Sequence, residues 1–152
     1  MAPLSPDTIG VLARMGMAML CGGLLGLERQ IRRKPAGLRT HMLVSLGAAA
    51  FTLVAFELFD RVAAGGDAAA RMDPLRVIEA IVGGIGFLGA GSIIQARGSV
   101  EGLTTAGSLW FVGSVGIACG TGHFMIAWIS VCLGLIVLIG VGLLERVLPR
   151  SS

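Results

Sequence analysis

The sequence predicts an all-α membrane protein, a compact bundle of about five transmembrane helices with the N-terminus outside and the C-terminus in the cytoplasm. Three observations carry that prediction. Of the 152 residues, 55% are hydrophobic and only 14% are charged, whereas a soluble domain carries about a quarter charged residues. The mean hydropathy is +0.86, and apolar stretches of the ~20 residues that cross a bilayer recur along most of the chain. Basic residues are also unevenly shared between the links. Eight (Arg29, Arg32, Arg33, Lys34, Arg39, Arg97, Arg146, Arg150) fall on one side and three (Arg61, Arg71, Arg76) on the other. The basic side belongs in the cytoplasm. The net charge of +3 therefore reads as topology, and no nucleic-acid partner is expected.

Residues 1–152 read as one domain with spans at 8–27, 41–59, 77–94, 103–118 and 124–144. The start of the chain lacks the positive region of a secretory signal, so the first span is expected to be retained. That span carries Arg14 and a Gly22-x-x-x-Gly26 pair suited to close helix contact. The second is rich in alanine and ends with Glu57 beside Asp60, followed by a loop from Asp60 to Arg76. The fourth opens with Gly102-Leu-Thr-Thr-Ala106, in which a threonine can cap the helix. The fifth, valine, leucine and isoleucine nearly all round, is expected to face lipid. Only Cys119-Gly-Thr-Gly-His123 separates the last two, so they must be antiparallel neighbours. Cys21, Cys119 and Cys132 show no metal-ligand spacing and read as buried free thiols.

The third span is the expected packing hub. It holds Gly83, Gly84, Gly86, Gly89 and Gly91 in an apolar run without proline, and small residues let membrane helices approach closely. At about 100° per residue, Ile78, Ile81, Ile85 and Leu88 form one bulky stripe, expected to meet lipid. The glycines, with Ala80 and Ala90, cover the remaining arc, expected to meet other helices.

Three ionisable groups lie within spans. A charge at mid-membrane costs at least about 2.5–3.5 kcal/mol, and Arg14, Glu57 and Glu79 all fall toward the outer side. A structural ion pair of Arg14 with Glu57 or Glu79 is the expectation; a cation-attracting outer mouth is the alternative. On the inner side Glu28 and Arg29 end the first span, Arg39, Thr40 and His41 begin the second, and Thr104 and Thr105 begin the fourth. Helix starts beside arginines favour an anion such as a lipid phosphate, a nucleotide or a partner's carboxylate. Enzyme signatures are poor: Ser92 and His41 fit no serine-nucleophile setting, and no Gly-Lys-Ser/Thr follows the glycines. Neither catalysis nor a cofactor is expected, and the residues name no metal site.

Gly26-Leu-Glu-Arg-Gln30, Ala36-Gly-Leu-Arg-Thr-His41, Gly84-Ile-Gly-Phe-Leu-Gly-Ala-Gly91 and Gly102-Leu-Thr-Thr-Ala106 with Trp110 closely resemble the MgtC/SapB family of bacterial inner-membrane proteins, in the right order from about Gly22 to Gly122. The resemblance implies a multi-pass plasma-membrane protein that is not an established enzyme. It links the chain to growth in low magnesium and to virulence and stress physiology. It also implies action through membrane-protein partners, the F-type ATP synthase among them. Thr104 and Phe111 stand where the virulence branch tends to have Asn and Cys. That branch usually carries a soluble C-terminal domain, whereas this chain stops soon after its fifth span, as in the short SapB-like form.

The expected function is a non-enzymatic inner-membrane modulator working through helix contacts with a membrane partner, in contact with membrane lipid and self-associating through its small-residue faces. Transport or channelling of a cation or small solute is the alternative.

Overall fold

A computed structural model describes residues 8–64, 73, 75–96 and 99–143. Each expected span is a helix: α1 (Thr8–Ile31), α2 (Leu38–Ala63), α3 (Leu75–Gly91), α4 (Leu103–Gly120) and α5 (Phe124–Leu135), the last continuing through a π-helical stretch, Ile136–Val141. Four of them (α1, α2, α4 and Phe124–Val141) are long and apolar enough to cross a membrane. The 17 residues of α3 sit at the short limit for a spanning helix. The helices run one turn or so past the expected spans at several ends. In particular, α2 starts at Leu38, which takes Arg39 and Thr40 into its first turn. Most of the loop from Asp60 to Arg76, together with Arg71, Arg97, Leu144, Arg146 and Arg150, lies outside the described residues.

The link between α3 and α4, expected as a plain connection, contains a two-stranded antiparallel ribbon. Its strands are β1 (Ile94–Ala96) and β2 (Ser99–Glu101), with Ile94 opposite Glu101 and Ala96 opposite Ser99. Gly102 turns the chain from the ribbon into α4 at φ +89°, and a β-carbon there would stand 2.0 Å from the Ser92 carbonyl oxygen. Only glycine meets both demands.

The core is formed by α1, α2 and α4, and glycine sets the spacing of both interfaces. β-Carbons on Gly22 and Gly26 would lie 2.7 Å from the His41 carbonyl oxygen and 2.8 Å from Leu38 Cα, so the expected Gly22-x-x-x-Gly26 contact is real and its partner is α2. On α4, Gly116 and Gly120 press in the same way on the Ser45 and Ala49 carbonyls. Ala18, Cys21, Leu25, Ala49, Val112, Val115 and Cys119 fill the space between the three helices. α5 leans on this core through Ala127 and Val131 and otherwise faces outward, as expected of a peripheral helix. Cys21 and Cys119 are buried free thiols, whereas Cys132 is exposed on α5, a correction to its expected burial.

The hub is α4, not α3, and the middle of α3 turns its faces the other way, although Leu88 of the bulky stripe is exposed as expected. Ile81 and Ile85, expected to meet lipid, are buried against Ala48, while Gly83, Gly84, Gly86 and Gly91 are exposed, with nothing within 4 Å of an added β-carbon. Of the expected hub glycines, Gly89 alone is buried, against Ala106. The reason is size complementarity. The Ile85 Cδ1 atom lies 2.2 Å from where a Gly113 β-carbon would be, so a large side chain of α3 enters a notch that glycine leaves in α4. Two smooth faces would have left that notch empty, and dispersion contacts decide packing where lipid supplies no hydrophobic drive.

Candidate functional site

The C-terminal end of α1 and the N-terminal ends of α2 and α4 meet at one level, and the polar residues expected there converge. Glu28, Arg29, His41 and Thr105 are all buried, and His41 is 0% exposed. Close glycine contacts explain why: His41 lies against Gly22 and Gly26, which carries its ring into the three-helix interface. The Arg29 guanidinium donates through Nη2 to Thr105 Oγ1 at 3.1 Å, joining α1 to α4. His41 Nδ1 lies 3.0 Å from the Gly37 carbonyl and Nε2 lies 3.2 Å from Ser108 Oγ, joining α2 to α4.

That arrangement constrains the ring. A carbonyl only accepts, so Nδ1 carries the hydrogen, and in the neutral ring Nε2 accepts from the Ser108 hydroxyl. Ser108 also lies 2.8 Å from the Thr105 carbonyl and has one proton for two acceptors. Glu28 Oε1 forms an ion pair with Arg32 Nε at 2.5 Å along one turn of α1. Among the described residues both Glu28 carboxylate oxygens, Arg29 Nε and Ser45 Oγ are buried without a hydrogen-bond partner. An unpaired buried group costs about 1–3 kcal/mol, so this end of the bundle holds polar capacity that the chain does not use on itself.

Arg39, Thr40 and Thr104 sit at the same end but point outward. The expected cluster therefore divides into a buried clamp and an exposed rim. Ser45 and Ser108 were missed by sequence reasoning, although the signal was present: Ser45 is one turn beyond His41 and Ser108 one turn beyond Thr105. The Gly116-x-x-x-Gly120 pair that seats α4 on α2 was missed as well.

The expected ion pair of Arg14 with Glu57 or Glu79 is not formed. Arg14 instead donates to the Gly120 carbonyl at 3.0 Å, at the C-terminal end of α4 where a cation is favoured. Glu57 pairs with Arg61 one turn along α2. Glu79 is exposed on α3 and makes no ion pair among the described residues. Among the described residues no group of three His, Cys, Asp or Glu side chains is placed to hold a metal ion.

A model of the MgtC family matches residues 15–147. An uncharacterized protein of Haemophilus influenzae is 33% identical over 152 residues, which are 99% of this chain and 63% of that protein. Protein MgtC of Brucella abortus is 47% identical over 105 residues, 69% of this chain and 40% of its own length. A putative magnesium transporter, YhiD of Escherichia coli, is 35% identical over 131 residues, 86% of this chain and 60% of that protein. The chain thus spans less than two thirds of the length of these three relatives. No solved structure matches it.

Proposed function

This chain belongs to the MgtC family, and from that membership we propose that it is a non-enzymatic, multi-pass inner-membrane module of magnesium physiology that works by docking a partner's helix on the bare face of α3. The observation that carries the reading is the outward arc of that helix. At about 100° per residue, Glu79, Gly83, Gly86 and Ala90 share one side of α3, opposite Ile81 and Ile85, and all four are exposed. Gly83 and Gly86 have nothing within 4 Å of an added β-carbon. Small residues on an open membrane face suit close approach by another helix. Glu79, on the same arc and without an ion-pair partner among the described residues, asks that helix for an arginine or lysine near the α3 N-terminal level. The buried clamp of Arg29, His41, Thr105 and Ser108 holds α1, α2 and α4 rigid behind that face. The F-type ATP synthase, expected from the family resemblance, is the first partner to test.

Replacing Gly83 and Gly86 together by leucine is the direct test. A β-carbon added at either position meets nothing within 4 Å among the described residues, so membrane level should be unchanged. Growth under magnesium limitation and partner co-purification should both be lost. Normal growth of the double variant would end the proposal. Transport is the second reading, favoured by the name of the Escherichia coli relative. Saturable magnesium flux into liposomes holding only the purified chain would replace the docking reading with it.

A further inference from the structure

We propose that the cleft between α2 and α3 binds an anionic phospholipid, with an acyl chain along the cleft and the phosphate at Arg39. The two helices touch around Val44, Ala48, Ile81 and Ile85 and leave an open groove of about 540 Å³ beside that contact. Leu43, Gly47 and Phe51 of α2 face Ala80, Gly84 and Leu88 of α3 across it. This arc of α3 is not the one assigned to a partner helix, and the inference is independent of that assignment.

The occupant is indicated by how charge is distributed along the groove. Arg39 stands one turn before Leu43, the first α2 residue lining the groove, and Gly47 and Phe51 continue that row in four-residue steps that turn about 40° each. The row begins with an exposed guanidinium that makes no ion pair among the described residues. It then runs roughly 18 Å to Phe51 along apolar walls. A positive group at one end and apolar walls beyond it match a phospholipid entered phosphate outward. Arg33 and Lys34, also exposed, lie at the same end of the bundle, whereas exposed Arg61 and Arg76 lie at the other.

The groove follows roughly 12 Å of helix axis from Leu43 to Phe51, and its lining is apolar throughout, which suits an acyl chain. Gly47 and Gly84 keep the groove open without seating any backbone, since added β-carbons there meet nothing within 4 Å.

The test uses the full chain, purified in detergent and offered equal amounts of phosphatidylglycerol and phosphatidylcholine, with bound lipid counted by native mass spectrometry. The wild type should retain phosphatidylglycerol with about fivefold preference, the effect of one basic residue at an anionic headgroup. Arg39→Gln should bind both lipids equally. Gly47→Leu with Gly84→Leu should fill the cleft and bind neither. A Phe51→Trp reporter in a chain whose Trp110 and Trp128 are replaced by phenylalanine gives a second readout: brominated phosphatidylglycerol should quench it more strongly than brominated phosphatidylcholine. Equal quenching by the two lipids would overturn the proposal, as would undiminished phosphatidylglycerol binding by the filled cleft. Efficient disulfide capture between Leu43→Cys copies would assign the cleft to a second copy of the chain and overturn it too.

Discussion

Gly116→Ala and Gly86→Ala are the same chemical change on two helices of one bundle, and their effects should have opposite signs. A methyl on Gly116 would lie 2.3 Å from the Ser45 carbonyl oxygen and 2.9 Å from Ala48 Cβ. The first is backbone and cannot swing aside. Real β-carbon contacts essentially never fall below 3.0 Å, so α2 and α4 must part by about 0.7 Å. A gap of that size forfeits about a quarter to a half of each atom pair's ~0.1–0.2 kcal/mol, or roughly 2–3 kcal/mol over the ~50 pairs of one buried side chain. Alanine's helix propensity returns at most about 1 kcal/mol. The net loss should be about 1–2 kcal/mol. At Gly86 the propensity gain stands alone, because nothing lies within 4 Å, and the change should be neutral or stabilising by up to about 1 kcal/mol. Titration of the detergent-solubilised chain with sodium dodecyl sulfate, followed by helical circular dichroism, reads both values. Equal effects at the two sites, or a harmless Gly116→Ala, would refute the assignment of α4 as hub.

The buried clamp and the exposed rim should separate in the same titration. His41→Ala removes a fully buried ring and its links to Gly37 and Ser108, at a cost of about 2–4 kcal/mol, whereas Arg39→Ala should stay within about 0.5 kcal/mol of wild type; equal losses would contradict the division. Arg14→Ala should cost about 1 kcal/mol and speed amide exchange in the last turn of α4, while Glu79→Gln should leave that exchange unchanged. Identical exchange in the Arg14 variant would mean that its hydrogen bond to Gly120 carries no weight.

The sequence by itself determined the class, the number and order of helices, and which ends carry charge. Those properties follow from local chemistry: a run of about 20 apolar residues must satisfy its own backbone in lipid, and it can do so only as a helix. It also determined that Glu28, Arg29, His41 and Thr105 would share one level, because alternating spans bring every second link to the same side. Family membership was legible in the same motifs. What the sequence did not determine was which face of each helix turns inward. The glycine-rich arc of α3 and its isoleucine stripe are both apolar, and in lipid apolarity does not distinguish inside from outside. Only tertiary structure, through the notch at Gly113 that receives Ile85, decided that the bulky side packs and the bare side is presented. The partner of Arg14 was decided in the same way. A carbonyl at the end of α4 carries no side-chain label, so its approach to Arg14 becomes visible only once α1 and α4 are docked.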